Sequence, residues 1–98
     1  MLKEFLEKDP NDAFLNYAYA LELQKKGDTQ AAIAALENLH ATQPDYLGTY
    51  YQLGKLYEAS AMIQSAIAIY SEGLSVARRQ NNKKIMGELN EAILLLED

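Results

Sequence analysis

The chain has 98 residues, no cysteine, apolar side chains at 49% of positions and a formal charge of −5. That length allows one domain with a modest core, and the apolar share argues for a folded chain rather than a disordered one. Spread acidic charge disfavours nucleic acid, the missing thiols exclude disulfides and a cysteine nucleophile, and no apolar run reaches the ~18 residues of a membrane span.

Taken in order, Met1–Lys8 places Leu2, Phe5 and Leu6 on one helical face and lacks the apolar stretch of a signal peptide, so a short N-terminal helical piece in a cytoplasmic protein is expected. Asp9-Pro10-Asn11-Asp12 is turn chemistry, with an Asn or Asp able to cap the next helix. The first long helix is predicted over Ala13–Lys26, ended by Gly27, and the second over Thr29–Thr42 with Asp28 as its N-cap. Gln43-Pro44-Asp45 breaks the chain, and a third helix is predicted over Tyr46–Ala59. The next turn, Ala61-Met62, holds no residue that favours positive φ, so Ser60 is expected to cap a fourth helix over Met62–Arg79. Asn81-Asn82 closes it. A fifth helix is predicted over Lys83–Glu97, with Ile85, Leu89, Ala92, Ile93 and Leu96 as its apolar stripe. The basic pairs Lys25-Lys26, Arg78-Arg79 and Lys83-Lys84 lie near predicted helix ends, where solvated cations offset the helix dipole.

These elements repeat with a period of 34 residues: Pro10 pairs with Pro44, Ala20 with Gly54, Leu23 with Tyr57, Ala32 with Ala66, Ile33 with Ile67 and Leu36 with Tyr70. Within the second copy, Tyr50, Leu53 and Tyr57 share one helix face, Gly54 permits close approach of a second helix, and Ala66 and Tyr70 answer it one element later. Aromatic-x2-Leu-Gly-x2-Tyr followed by Ala-x3-aromatic resembles the tetratricopeptide repeat, with Tyr50 and Tyr70 standing where Trp and Phe are usual. The first copy is looser. Asn16 replaces the large aromatic, with Phe14 nearby as partial compensation, and Tyr19-Ala20 stands for Leu-Gly.

The resemblance implies an all-α superhelix. Its parts are an N-terminal helical cap over 1–12, repeats at 13–46 and 47–80, and a C-terminal capping helix over 81–98, together forming a single domain. It further implies an interaction scaffold whose concave groove is lined by the first helix of each repeat. In that register the groove-facing residues are Phe14, Tyr17, Leu21, Gln24 and Lys25 in the first repeat and Gly48, Tyr51, Gln52, Lys55 and Glu58 in the second, of which Phe14, Tyr17, Leu21, Tyr51, Gln52 and Lys55 are the expected partner-binding residues. Some members grip a carboxylate tail with a Lys/Asn clamp. Tyr17, Leu21 and Gln52 occupy those places here, so such a tail is not expected, and an apolar partner segment, extended or helical, is.

Other residues carry less. His40 is the only histidine and stands in no catalytic constellation, so no enzyme, metal or cofactor is expected. Leu94 lies opposite Ile85 on the last helix, beside Leu95. These two are candidates for a self-association patch, and hence for a homodimer as the alternative to a protein or peptide ligand.

Overall fold

Six helices run through residues 2–97, the part of the chain that the computed structural model describes: α1 (Leu2–Lys8), α2 (Ala13–Lys25), α3 (Thr29–Thr42), α4 (Gly48–Ala59), α5 (Ile63–Arg79) and α6 (Lys83–Leu96). The fold is all-α, built of helix-turn-helix pairs of the α-α solenoid class. Met1 and Asp98, the outer ends of the expected N-terminal cap and capping helix, lie outside the described residues. The chain divides into two compact units, Met1–Tyr46 and Leu47–Asp98.

In the first unit α1 and α3 each pack on α2. The buried side chains are Ala20, Ala32, Ile33, Leu36 and Leu39. Asp12 caps α2 by accepting from the Leu15 amide at 2.8 Å, and Asp28 caps α3 through the Ala31 amide at 3.3 Å. Asn16 does not need Phe14 to take an aromatic's place, and Phe14 does not take it, being 63% exposed. Instead the Asn16 amide donates to the carbonyls of Pro10 and Asp12 at 2.9 and 2.8 Å, tying the Pro10 turn to the start of α2. The expected apolar face of α1 is only partly used. Leu2 and Leu6 are half-buried, but Phe5 points largely to solvent.

In the second unit α5 packs on α4 and on α6. Tyr50, Leu53, Ala66, Tyr70, Ala77 and Leu89 are fully enclosed. Two glycines let α4 and α5 meet. A Cβ on Gly54 would run into the Tyr70 ring, and a Cβ on Gly73 would fall 2.5 Å from Tyr50 Cβ. Each helix therefore presents one tyrosine and one glycine, and each tyrosine lies over the other helix's glycine.

Three helices end in the same hydrogen-bonded loop. After α2 the amides of Gly27 and Asp28 return to the carbonyls of Gln24 and Leu23. Ala61 and Met62 return in the same way to Glu58 and Tyr57 after α4, and Asn81 and Asn82 to Arg78 and Ala77 after α5. This is the Schellman pattern, which places the residue after the C-cap at positive φ. Gly27 holds φ +86°, Ala61 +62° and Asn81 +56°. The turn at Ala61 therefore differs from the sequence expectation. Its backbone takes the left-handed region without a glycine, because two hydrogen bonds to the end of α4 hold it there, as the equivalent pair holds Gly27 one period of 34 residues earlier. Ser60 is the C-cap of α4 and not the N-cap of α5. The N-cap is Met62, and no side chain bonds the first amides of α5. Helix α4 also begins two residues later than expected, behind Leu47, which has no capping side chain.

Candidate functional site

Helices α4 and α6 both lie against α5, and between them opens a small cavity of about 90 Å³. Its walls are Tyr51 and Lys55, one turn apart on α4, and Glu88, Glu91, Ala92 and Leu95 on α6. The α6 residues fall at i, i+3, i+4 and i+7, a single helical stripe that meets the buried face of α6 at Ala92.

Tyr51 packs against a buried ring. Its ring centroid lies 6.2 Å from that of Tyr70, with the planes tilted by 42°. Lys55 lies over the Tyr51 ring with Nζ 5.3 Å from the centroid, within the range of a cation–π contact. The same ammonium is 3.7 Å from a Glu58 carboxylate oxygen. Glu58 in turn accepts a hydrogen bond from the Tyr70 hydroxyl. Burial, first, then that hydrogen bond, then the neighbouring Glu58 charge and Tyr51 hold the Tyr70 hydroxyl protonated well above the usual tyrosine range. Four side chains thus contact one another in a closed circuit, and Tyr51, half-buried, lines the cavity from within it.

In the first unit Phe14, Tyr17 and Leu21 share a face of α2, with Phe14 exposed and the other two half-buried. The Tyr17 ring lies 5.5 Å from Tyr46 at a tilt of 58°. Burial, with Tyr17 and Asp12 as smaller contributors, raises the Tyr46 hydroxyl above its ordinary pKa.

Of the residues singled out from the sequence, the structure brings Tyr51, Lys55 and Leu95 to one cavity. Gln52 is half-buried on α4 and does not line it. Leu94 is 61% exposed and stands outside it, while Leu95, 69% exposed, belongs to its wall. Glu88 and Glu91 were not anticipated, because α6 was read for the face it buries, on which Ala92 lies. Their spacing was the available signal. His40 is half-buried near the end of α3. Among the described residues no group of three or more His, Cys, Asp or Glu is placed to hold a metal, and no helix is long and apolar enough to cross a membrane.

Two family models described as tetratricopeptide repeat match the chain, one over residues 23–82 and one over residues 1–34. A crystal structure of a tetratricopeptide repeat domain protein from Salinibacter ruber is 44% identical, with a TM-score of 0.84 over 88% of this chain and 96% of that one. A solution NMR structure of a tetratricopeptide repeat domain protein from the same organism is 45% identical, with a TM-score of 0.87 over 91% of this chain and 90% of that one. The crystal structure of MamA shares the fold at 23% identity and a TM-score of 0.69, over 98% of this chain and 64% of that one. No curated protein matches the chain.

Proposed function

The chain belongs to the tetratricopeptide repeat family, whose general role is protein–protein interaction, and from that premise we propose that it captures a segment of a partner protein at the Tyr51–Lys55 face of α4. The observation that supports this most is the closed circuit of Tyr51, Tyr70, Glu58 and Lys55. An aromatic that lines a cavity and is already held by neighbouring side chains loses little side-chain entropy when a ligand meets it. Leu95 supplies apolar surface on the opposite wall, and Gln52 flanks Tyr51 on α4 as a polar contact. On the first unit Phe14, Tyr17 and Leu21 share a face of α2, which we assign to the same role. The test is capture of a partner by the whole chain compared with its Tyr51→Ala variant. The reading requires that capture be lost while far-UV circular dichroism is retained. Equal capture by both chains removes Tyr51 from the site.

A second reading is favoured by the exposure of Leu94, at 61%. A copy of the chain associating through that face of α6 would bury it. Light scattering over about a hundredfold range of concentration separates the two, since mass action converts a self-associating chain with concentration. A dimer that Leu94→Glu returns to monomer supports self-association. A monomer at every concentration removes it.

A further inference from the structure

We infer that the cavity between α4 and α6 selects a lysine or arginine side chain of the partner segment. The inference rests on the binding reading of the Tyr51 face and adds the chemistry of the residue that enters it.

The charges decide the sign. The cavity wall carries one cation and two anions. The cation, Lys55, is engaged by Glu58 and by the Tyr51 ring. Glu58 therefore satisfies Lys55 from outside the wall. Glu88 and Glu91, one turn apart on α6, are exposed, and among the described residues neither takes part in an ion pair. The wall therefore presents uncompensated negative charge beside apolar surface from Tyr51, Ala92 and Leu95. A ligand that matches both must carry a hydrocarbon stem ending in a cation. Lysine and arginine are built that way: the stem covers apolar surface while the head stays at a wet, charged rim. At about 90 Å³ the space suits one such side chain and not a folded ligand. An acidic side chain would meet two like charges, and a purely apolar one would leave both carboxylates partly desolvated without a partner.

The experiment is selection of random peptides displayed on phage against the full chain at low salt. Recovered peptides are then measured on four variants: Tyr51→Ala, Leu95→Ala, the double change Glu88→Gln with Glu91→Gln, and Glu22→Gln, an exposed glutamate of α2 that does not line the wall, as a charge control. Enrichment of Lys or Arg next to an apolar residue is expected. The double Gln variant should weaken binding by about tenfold, the sum of two partly exposed charge contacts, and that gap should close between about 0.05 M and 0.5 M salt. Peptides that lose binding with Tyr51→Ala or Leu95→Ala, yet show no basic enrichment or ignore the double Gln change, overturn the inference and leave the Tyr51 face as the binding surface. Peptides indifferent to both Tyr51→Ala and Leu95→Ala, or no binders at all, overturn both. Leu95 and the two glutamates are exposed, so their variants keep the fold and the result remains readable if Tyr51→Ala does not.

Discussion

A side chain on Gly73 would begin 2.5 Å from Cβ of Tyr50, so the second unit closes only if position 73 stays bare. Tyr50 is fully buried there, and its hydroxyl reaches a Glu72 carboxylate at 3.4 Å. Gly73 is mid-helix, where glycine ordinarily costs ~1 kcal/mol relative to alanine. Close packing against Tyr50 outweighs that propensity. Gly73→Ala is expected to lower stability by ~1–3 kcal/mol, as overpacking does, whereas Gly87→Ala, at an exposed position of α6 with nothing near its Cβ, is expected to raise it by ~0.5–1 kcal/mol. Urea denaturation of the two variants checks both signs. If Gly73→Ala is neutral, α4 and α5 do not interlock as described.

The two loops one period apart set up a matched pair. Gly27→Ala places a β-carbon at φ +86° and is expected to cost ~1 kcal/mol, a loss due to backbone strain alone, since nothing lies within 4 Å of that carbon. Ala61 already bears that strain at φ +62°, so Ala61→Gly is expected to stabilise by up to ~1 kcal/mol, less what glycine returns to the unfolded chain. Thermal unfolding followed by circular dichroism should show the melting temperature moving in opposite directions. Movement in the same direction would contradict the loop geometry.

Alkaline stability follows from Tyr70. Its hydroxyl is held protonated in the folded state to higher pH than in the unfolded chain, so folded molecules bind the proton more tightly. That contribution is fully present below the ordinary tyrosine pKa of ~10, and it is lost as pH rises through and beyond that value. Tyr70→Phe keeps the ring over Gly54 and removes the hydroxyl. It is expected to cost about 1 kcal/mol at neutral pH through the lost hydrogen bond to Glu58, and to flatten the fall in stability above pH ~10. Stability measured from pH 7 to 11 on both chains decides it: parallel curves would mean that Tyr70 is not the group responsible.

Removal of residues 83–98 deletes α6, with its buried Leu89, Ala92 and Ile93, and bares the face of α5 on which it packs. Repeat units cannot bury their faces alone, and the truncated chain is expected to be largely unfolded. A cooperative thermal transition in the truncated chain would refute this.

The period, the caps and the bare Gly54 were legible because each is a residue type chosen for a local physical reason. Asp12 and Asp28 have short acceptors in reach of free amides, and Gly54 has no side chain where Tyr70 arrives. Gly73 escaped notice because a mid-helix glycine reads as a mild defect until its neighbour is known. Ala61 escaped because its left-handed backbone is imposed by hydrogen bonds to α4 rather than invited by its own side chain. At the candidate site, Tyr51 and Lys55 were reached through the family register, while Glu88 and Glu91 were passed over. Exposed glutamates on a helix are usually solvated surface, and only the helix opposite gives these two a role.

The circuit of Tyr51, Tyr70, Glu58 and Lys55 makes the surface answerable to the interior. Any ligand that draws Lys55 outward takes a cation from Glu58, and Glu58 is the acceptor for a tyrosine sealed beneath α4. Occupancy outside therefore registers inside as a change in the environment of Tyr70. With seven tyrosines and no tryptophan in the chain, tyrosine ultraviolet absorbance and emission carry that message without an added label. The protein comes with its own gauge of whether the proposed binding face is filled.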